Sequence, residues 1–392
     1  MEKSKFIPYG RQEVTQADID TVINVLKSDF LTQGPQVPLF EESVRKAVNA
    51  KFAVAVNSAT SALHIACLAL GVGKGDLVWT TPITFVASAN CALYCDANID
   101  FVDIDPKTYN LSPKNLEQKL IYAKVNGLPL PKVVIPVHLS GQSCEMDKIY
   151  ELSKEYRFSI IEDASHAIGG KYKGEPIGNC NYSDIVIFSF HPVKIVTTGE
   201  GGVATTNNIQ LAKKMELLRS HGITRDLTLM TEESHGEWYY QQIDLGFNYR
   251  MTEMQAALGV SQMRRLHKFV AKRNKLAARY DELLKELPLT TPRHTDDLYS
   301  AFHLYIVRLH LNKIKLSHKS VFEHLKNNNI GVNLHYIPVH IQPYYKKLGF
   351  KVGSFFESEK YYKESISIPL FPTMTESEQD KVVKVLTQVL VQ

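Results

Sequence analysis

Asp184-Ile-Val-Ile-Phe-Ser-Phe-His-Pro-Val-Lys194 is the stretch that decides the fold. The apolar run Asp184 to Phe188 reads as a buried strand, and the chain then turns through Ser189-Phe-His-Pro to present Lys194 just past its end. A lysine held there is partly desolvated, which lowers the pKa of its amine and frees it to attack a carbonyl. Upstream, Ile160-Ile161-Glu162-Asp163 reads as a second buried strand. It delivers a carboxylate at its C-terminal end, where open α/β sheets place their ligands.

Working outward, helix and strand signals alternate. Thr15-Gln-Ala-Asp18 is a capping-box pattern opening a helix to about Leu26, and a second helix runs from about Pro38 to Val48. Strands are expected at Phe52–Val56, Leu77–Trp79, Ile99–Val102, Lys132–Val137 and Phe158–Glu162. The helices between them are expected at Thr60–Leu70, Thr84–Leu93, Pro113–Tyr122 and Met146–Tyr156. Repeated units of this length imply an α/β fold with a mostly parallel sheet covered by helices on both faces. After the Gly-rich turn Gly199–Gly202 come a short strand and a helix from about Gln210 to Ser220. Met251 to Leu287 is periodic and rich in Ala, Leu, Lys, Arg and Glu, as one or two bridging helices would be. Beyond it, strands at Phe302–Leu309, Gly331–Leu334 and Ser365–Ile368, with helices at Ser317–Lys326 and behind Thr375-Glu-Ser-Glu378, suggest a small α+β domain. The expected division is residues 1–250 and 251–392.

Composition bounds the function. The chain has 392 residues, 44% of them hydrophobic, and 45 basic against 41 acidic side chains give a net charge of only +4. No block of like charge is long enough to form a nucleic-acid track. Met1-Glu-Lys-Ser-Lys-Phe-Ile-Pro8 has no apolar core of signal-peptide length, and the most apolar stretch, Phe52 to Val72, is interrupted by Asn57, Ser58, Thr60, Ser61 and His64, so neither a leader nor a membrane span is expected and the protein reads as cytoplasmic. Cys67, Cys91, Cys95, Cys144 and Cys180 lack metal-ligand spacing and read as buried thiols, so no metal is expected.

A strand-end lysine and a strand-end aspartate are what pyridoxal phosphate requires, one for its aldehyde and one for its pyridine nitrogen. Asn57-Ser-Ala-Thr-Ser61 joins a strand to a helix through small hydroxyl residues, as either a phosphate cradle or an ordinary N-cap. Phe85 offers a stacking face or a core side chain. Asp163 is either a loop-capping carboxylate or the pyridinium partner, and His166 is a cofactor contact or a satisfied loop histidine. No Gly-x-Gly-x-x-Gly follows the first strand, which disfavours a nicotinamide oxidoreductase.

The chain resembles, over nearly its whole length, the DegT-type sugar-nucleotide aminotransferases, which are fold-type-I pyridoxal phosphate enzymes. The resemblance rests on Leu31-Thr-Gln-Gly-Pro35, Asn57-Ser-Ala-Thr-Ser61, Thr81-Pro-Ile-Thr-Phe85, Val137-His-Leu-Ser-Gly141, Glu162-Asp-Ala-Ser-His-Ala-Ile-Gly169, Ser189-Phe-His-Pro-Val-Lys194, Gly199-Glu-Gly-Gly202, Arg219-Ser-His-Gly222 and Gly246-Phe-Asn-Tyr-Arg-Met251. It implies that Lys194 carries the cofactor and shuttles the proton, that Asp163 holds the pyridine nitrogen protonated, and that Phe85 stacks on the ring with His166 near the phenolic oxygen. It further implies that Thr60, Ser61 and Ser189 bind the phosphate and that Asn248 reaches the same phosphate from the neighbouring subunit of a homodimer. Arg250 either buttresses that loop or meets substrate phosphates. One branch of the family has histidine at the lysine position and dehydrates or deoxygenates the sugar; Lys194 implies transamination.

His335-Tyr-Ile-Pro-Val-His-Ile-Gln-Pro-Tyr-Tyr345 resembles the family segment that closes over the sugar nucleotide, in the form found in pseudaminic acid biosynthesis. That makes His335, Tyr336 and Gln342 candidates for substrate contact, against the alternative that an aromatic, Pro-containing loop only joins two domains. The resemblance thus implies conversion of a UDP-linked 4-keto-6-deoxy-N-acetylhexosamine to its 4-amino sugar, with glutamate as donor. The rivals are another nucleotide-ketosugar aminotransferase, at C3 or C4, and a regulatory protein that binds pyridoxal phosphate without turnover.

Overall fold

The computed structural model describes residues 6–391 except His294 and Asp296. Its centre is a sheet of β1 (Phe52–Val56), β2 (Leu77–Thr80), β3 (Asn98–Phe101), β4 (Val133–Ile135) and β5 (Ser159–Asp163), joined, after a small hairpin of β6 (Lys171–Tyr172) and β7 (Glu175–Pro176), by β8 (Ile185–Ser189) and β9 (Gly202–Thr206). The order across the sheet is β1-β9-β8-β5-β4-β2-β3. All pairings from β8 to β3 are parallel; β9 alone is reversed, antiparallel to both β1 and β8.

Residue alternation explains why both faces are covered. In β1, Val54 and Val56 face one apolar cluster while Ala53 and Ala55 face another; in β8, Ile185 and Ile187 oppose Val186 and Phe188 in the same way. A strand buried on both faces needs no polar alternation, which is why these runs are continuously apolar. The helices Ala59–Ala69, Ala87–Tyr94 and Ile209–Arg219 supply one face, and Gln36–Val48 with Glu253–Met263 part of the other.

The N-terminal helix Gln16–Leu26 starts at the expected capping box. Its Asp18 is 1% exposed yet well partnered: Thr15 N–H, Ser261 Oγ, Gln262 Nε2 and Arg265 all donate to the carboxylate. The long periodic segment is two helices, the second of the alternatives expected: Glu253–Met263 and Leu266–Leu284, the first with its own Thr252/Gln255 capping box. Elsewhere expectation and structure differ. The helix expected from Thr84 starts at Ala87, so that Phe85 swings out. Gly331–Leu334 is not a strand, because among the described residues its pairing is limited to the single bridge of Asn333 with Ser367, beside that of Ile7 with Ile330 just before it.

Toward the C-terminus lies a second sheet. Two short strands, β10 (Ile223–Thr224) and β11 (Gln241–Gln242), pair in a ribbon that precedes it; then come β12 (Leu289–Thr290), β13 (Leu298–Tyr299), which joins the β6–β7 hairpin, β14 (Tyr305–Leu309) and β15 (Ser365–Ile368). The second sheet has the order β12-β14-β15 and is antiparallel throughout. The helices His318–Asn327 and Glu376–Leu390 cover it with their own apolar cluster. Arg273, 1% exposed, donates to the carbonyls of Phe302, His303 and Leu370 and ties this region to the helix Leu266–Leu284. Among the described residues no helix is long and apolar enough to cross a membrane, and no cluster of His, Cys, Asp and Glu is arranged for a metal ion. All five cysteines are free and buried.

Candidate active site

Sheet topology brings the distant motifs together. Gly202, the first residue of β9, pairs with Val56 on one side and Ser189 on the other, so the C-terminal ends of β1 and β8 lie side by side across it. A Cβ on Gly202 would sit 2.4 Å from the carbonyl carbon and oxygen of Ser58 and 2.5 Å from Ala59 N, so only glycine lets the first turn of the helix Ala59–Ala69 approach the strand this closely. Asp163 ends β5 beside Ile187 of β8.

Around these ends opens a cavity of about 920 Å³. Lys194, Asp163, Thr60, Ser61, Phe85, His166, Ser189, His335 and Tyr336 all line it. Asn248, Arg250 and Gln342 do not. Asn248 bridges to Ser220, Arg250 lines a separate 220 Å³ pocket with Arg219 and Gly34, and Gln342 stands between the 3-10 turn Val339–Ile341 and the helix Pro343–Lys347.

Lys194 is half-buried, and among the described residues no hydrogen bond holds its Nζ. Burial lowers its amine to about 8, and the Asp163 charge opposes part of that shift. Asp163 is 5% exposed. Ser88 Oγ donates to its Oδ2 at 2.5 Å, and the Ser165 N–H donates to Oδ1 at 3.1 Å.

The helix N-terminus is both capped and open. Ser58 accepts the Ser61 N–H at 3.1 Å, and Ser61 Oγ donates to Asn57 Oδ1 at 2.6 Å. Free N–H groups in this first turn, with the Thr60 hydroxyl and Ser189 nearby, form a ready anion site. Phe85 is 59% exposed, and its ring lies 6.1 Å from that of Tyr336, which removes the reading of Phe85 as a core side chain.

Three histidines, His166, His303 and His335, form part of the cavity wall. Ser140 N–H donates to His166 Nδ1 at 3.2 Å, so the ring hydrogen sits on Nε2 and points at Tyr336 Oη, 3.1 Å away. Burial, with Lys194 and His335 nearby, pulls His166 well below the ordinary histidine range. His335 bonds Ser367 Oγ at 2.8 Å and is lowered to about 3, first by burial and then by Lys194. His303, 4% exposed, lies 4.4 Å from His166 ring to ring, and its Nδ1 has no partner among the described residues. All three are therefore neutral near pH 7, and the wall presents dipoles rather than charges.

Sequence reasoning missed Ser88, His303 and Tyr9, which also lines the cavity. Ser88 lies four residues after Thr84, a helical spacing that puts two hydroxyls on one face, and this was the available signal. His303 sits in an apolar run and has no signal of its own.

The family model described as the DegT/DnrJ/EryC1/StrS aminotransferase family matches residues 12–387. This chain belongs to that family. Among curated relatives it is 38% identical over 369 residues to the UDP-4-amino-4,6-dideoxy-N-acetyl-beta-L-altrosamine transaminase of Campylobacter jejuni, covering 94% of this chain and 93% of that one. It is 37% identical to the spore coat polysaccharide biosynthesis protein SpsC of Bacillus subtilis, with 99% and 98% covered. Among solved structures, Helicobacter pylori PseC, an aminotransferase in pseudaminic acid biosynthesis, superposes with a TM-score of 0.89 at 29% identity and covers 99% of this chain and 100% of that one. The sugar aminotransferase Spr1654 of Streptococcus pneumoniae, solved in its PLP form, gives a TM-score of 0.89 at 28% identity, with 98% and 99% covered. The fold is that of the family's pyridoxal phosphate aminotransferases, as expected from the sequence.

Proposed function

We propose that this sugar aminotransferase acts on a UDP-linked 4-keto-6-deoxy-N-acetylhexosamine, aminating C4 with glutamate as the donor, in a pseudaminic-acid-type surface-glycan route in the cytoplasm. The observation that carries the reading is the half-buried Lys194, its Nζ without a hydrogen bond among the described residues, lining one cavity with the Asp163 carboxylate. The names of the Campylobacter and Helicobacter relatives support the substrate.

The cofactor is pyridoxal 5'-phosphate, and when bound it supplies an aldehyde for amine exchange and a ring that takes up the electron pair left at the reacting carbon. The residues fit it. The helix N-terminus that Gly202 lets close on the strand ends suits the phosphate, and a buried acceptor at Asp163 suits a protonated ring nitrogen. Phe85 offers a flat face in the same cavity.

The chain's own residues would then work as follows. Lys194 Nζ, lowered to about 8 by desolvation, exists partly as the free amine near neutral pH; it takes the α-proton of glutamate and later returns a proton to C4 of the sugar. The Asp163 carboxylate accepts the ring-nitrogen hydrogen. Thr60, Ser61 and Ser189 hold the phosphate through hydroxyl and backbone N–H groups. Asn248 of the partner subunit reaches the same phosphate in a homodimer. His335 and Tyr336 close over the sugar, with Tyr336 Oη held by His166 so that its own hydrogen is free for the ligand. Gln342 and Arg250 lie outside this cavity within one chain, so a contact with the nucleotide would need the partner subunit's cavity; for Arg250 the alternative is to buttress the loop that carries Asn248. Residues 1–250 form the cofactor domain and 251–392 the bridging helices and small domain.

The test is the visible absorption of the purified protein, followed as glutamate and then UDP-2-acetamido-2,6-dideoxy-β-L-arabino-hex-4-ulose are added. Loss of the bound-cofactor band with glutamate and its return with the keto sugar is the expected result. A response to glutamate alone overturns the sugar assignment, and Lys194→Ala that still turns over overturns the role of Lys194.

A further inference from the structure

Asp163 is backed by a chain of hydroxyls that the reading above does not use. Ser88, with no solvent exposure, donates Oγ–H to Asp163 Oδ2 at 2.5 Å, and Thr84 Oγ1, 1% exposed, lies 2.7 Å from Ser88 Oγ. The direction of these bonds follows from valence. An ionised carboxylate only accepts, so the single hydroxyl hydrogen of Ser88 is committed to Asp163 and Ser88 must in turn accept from Thr84. The Ser165 N–H occupies the other carboxylate oxygen. Both oxygens are thus gripped from the protein side, which leaves lone pairs free toward the cavity. Ser88 itself does not line the cavity, so whatever it does it does through Asp163. Cys91 Sγ, one turn on, bonds the Ser88 carbonyl at 3.4 Å and steadies this first turn of the helix.

We propose that Ser88, backed by Thr84, is a positioning residue that fixes the Asp163 carboxylate in one rotamer and keeps it an acceptor toward the cofactor's ring nitrogen. This rests on the reading of Asp163 as that nitrogen's partner. A hydrogen bond to a charged group is worth enough that its loss lowers a rate about tenfold. The Thr84 bond is one step removed and contributes less.

The experiment uses the holoenzyme loaded with pyridoxal phosphate labelled with ¹⁵N in the ring, and compares wild type with Ser88→Ala, Thr84→Val and Asp163→Asn. The ring-nitrogen chemical shift, which reports protonation and does not respond to a merely structural defect, is read beside kcat and KM. In the expected result, Ser88→Ala moves the resonance toward the unprotonated position in the same sense as Asp163→Asn, Thr84→Val moves it less, and kcat falls about tenfold with little change in KM. If Asp163→Asn moves the resonance and Ser88→Ala leaves it at the wild-type position, the inference fails while the Asp163 reading stands. If Asp163→Asn leaves it unmoved, the Asp163 reading fails and the inference falls with it.

Discussion

Gly202→Ala is the sharpest probe of how the fold builds the proposed phosphate cradle. The substitution adds one carbon at a strand position, yet that carbon would lie 2.4 Å from Ser58 C and O, where ordinary contact begins at 3.4 Å. Relief requires the first turn of the helix Ala59–Ala69 and β9 to separate by about 1 Å, because the obstacle is backbone and cannot rotate away. Overpacking of this kind costs about 1–3 kcal/mol of stability. The larger effect falls on the ligand, since a misplacement of about 1 Å in a preorganised site costs on the order of a hundredfold. Gly199→Ala is the control: Gly199 has φ of +80° and nothing within 4 Å of its Cβ position, so alanine there is strained but collides with nothing. Fluorescence titration of the cofactor-free protein with pyridoxal phosphate, paired with thermal melting, should show affinity reduced roughly ten- to hundredfold for Gly202→Ala. Gly199→Ala should melt earlier yet bind normally. Wild-type affinity in Gly202→Ala would refute the argument that close approach at this glycine makes the cradle.

Three other outcomes are expected. Under the shared site proposed above, mixing Lys194→Ala with Asn248→Ala subunits should restore part of the activity, because one of the two sites in a mixed dimer would keep both residues; confirmed mixed dimers without activity would confine Asn248 to its own subunit. Capture of pyridoxal phosphate by cofactor-free protein needs the unprotonated Lys194 amine, so its rate should climb with pH up to about 8 and then level; since Asp163 raises that value, Asp163→Asn should shift the rise to lower pH, as stopped-flow absorbance would reveal. Asp18→Ala should destabilise the fold by about 2 kcal/mol in denaturant unfolding, because Thr15 N–H and Ser261 Oγ lose their charged acceptor while Arg265 and Gln262 keep only their bonds to Glu13. The Asp18 carboxyl is held below its usual value by these donors, although burial opposes them, so its contribution is present above the ordinary carboxylate range and fades as the pH falls through the lowered one.

Much of the site was legible because its chemistry sits at predictable places. Lys194, Asp163, Ser189 and the Asn57–Ser61 turn each follow an apolar run, and strand ends are where α/β sheets expose side chains. Capping boxes at Thr15 and Thr375 also appeared as read. The strand expected at Gly331–Leu334 failed for a reason of context: its alternation is real, but Ser367 offers it only a single bridge, and a strand needs a continuous partner.

The sequence by itself determined the period of each element, the two-sided burial of the sheet and the residue types that point to pyridoxal phosphate, since all of these are local patterns. The tertiary structure alone decided that β9 would insert in reverse between β1 and β8, so that Gly202 stands between Val56 and Ser189 and draws the helix N-terminus to the end of the lysine strand. It also decided that Ser88 would stand behind Asp163 and His303 beside His166, although 75 residues separate the first pair. Hydrogen bonds and desolvation act over a few ångströms in space, whatever the distance along the chain, and no periodicity records which strand ends become neighbours.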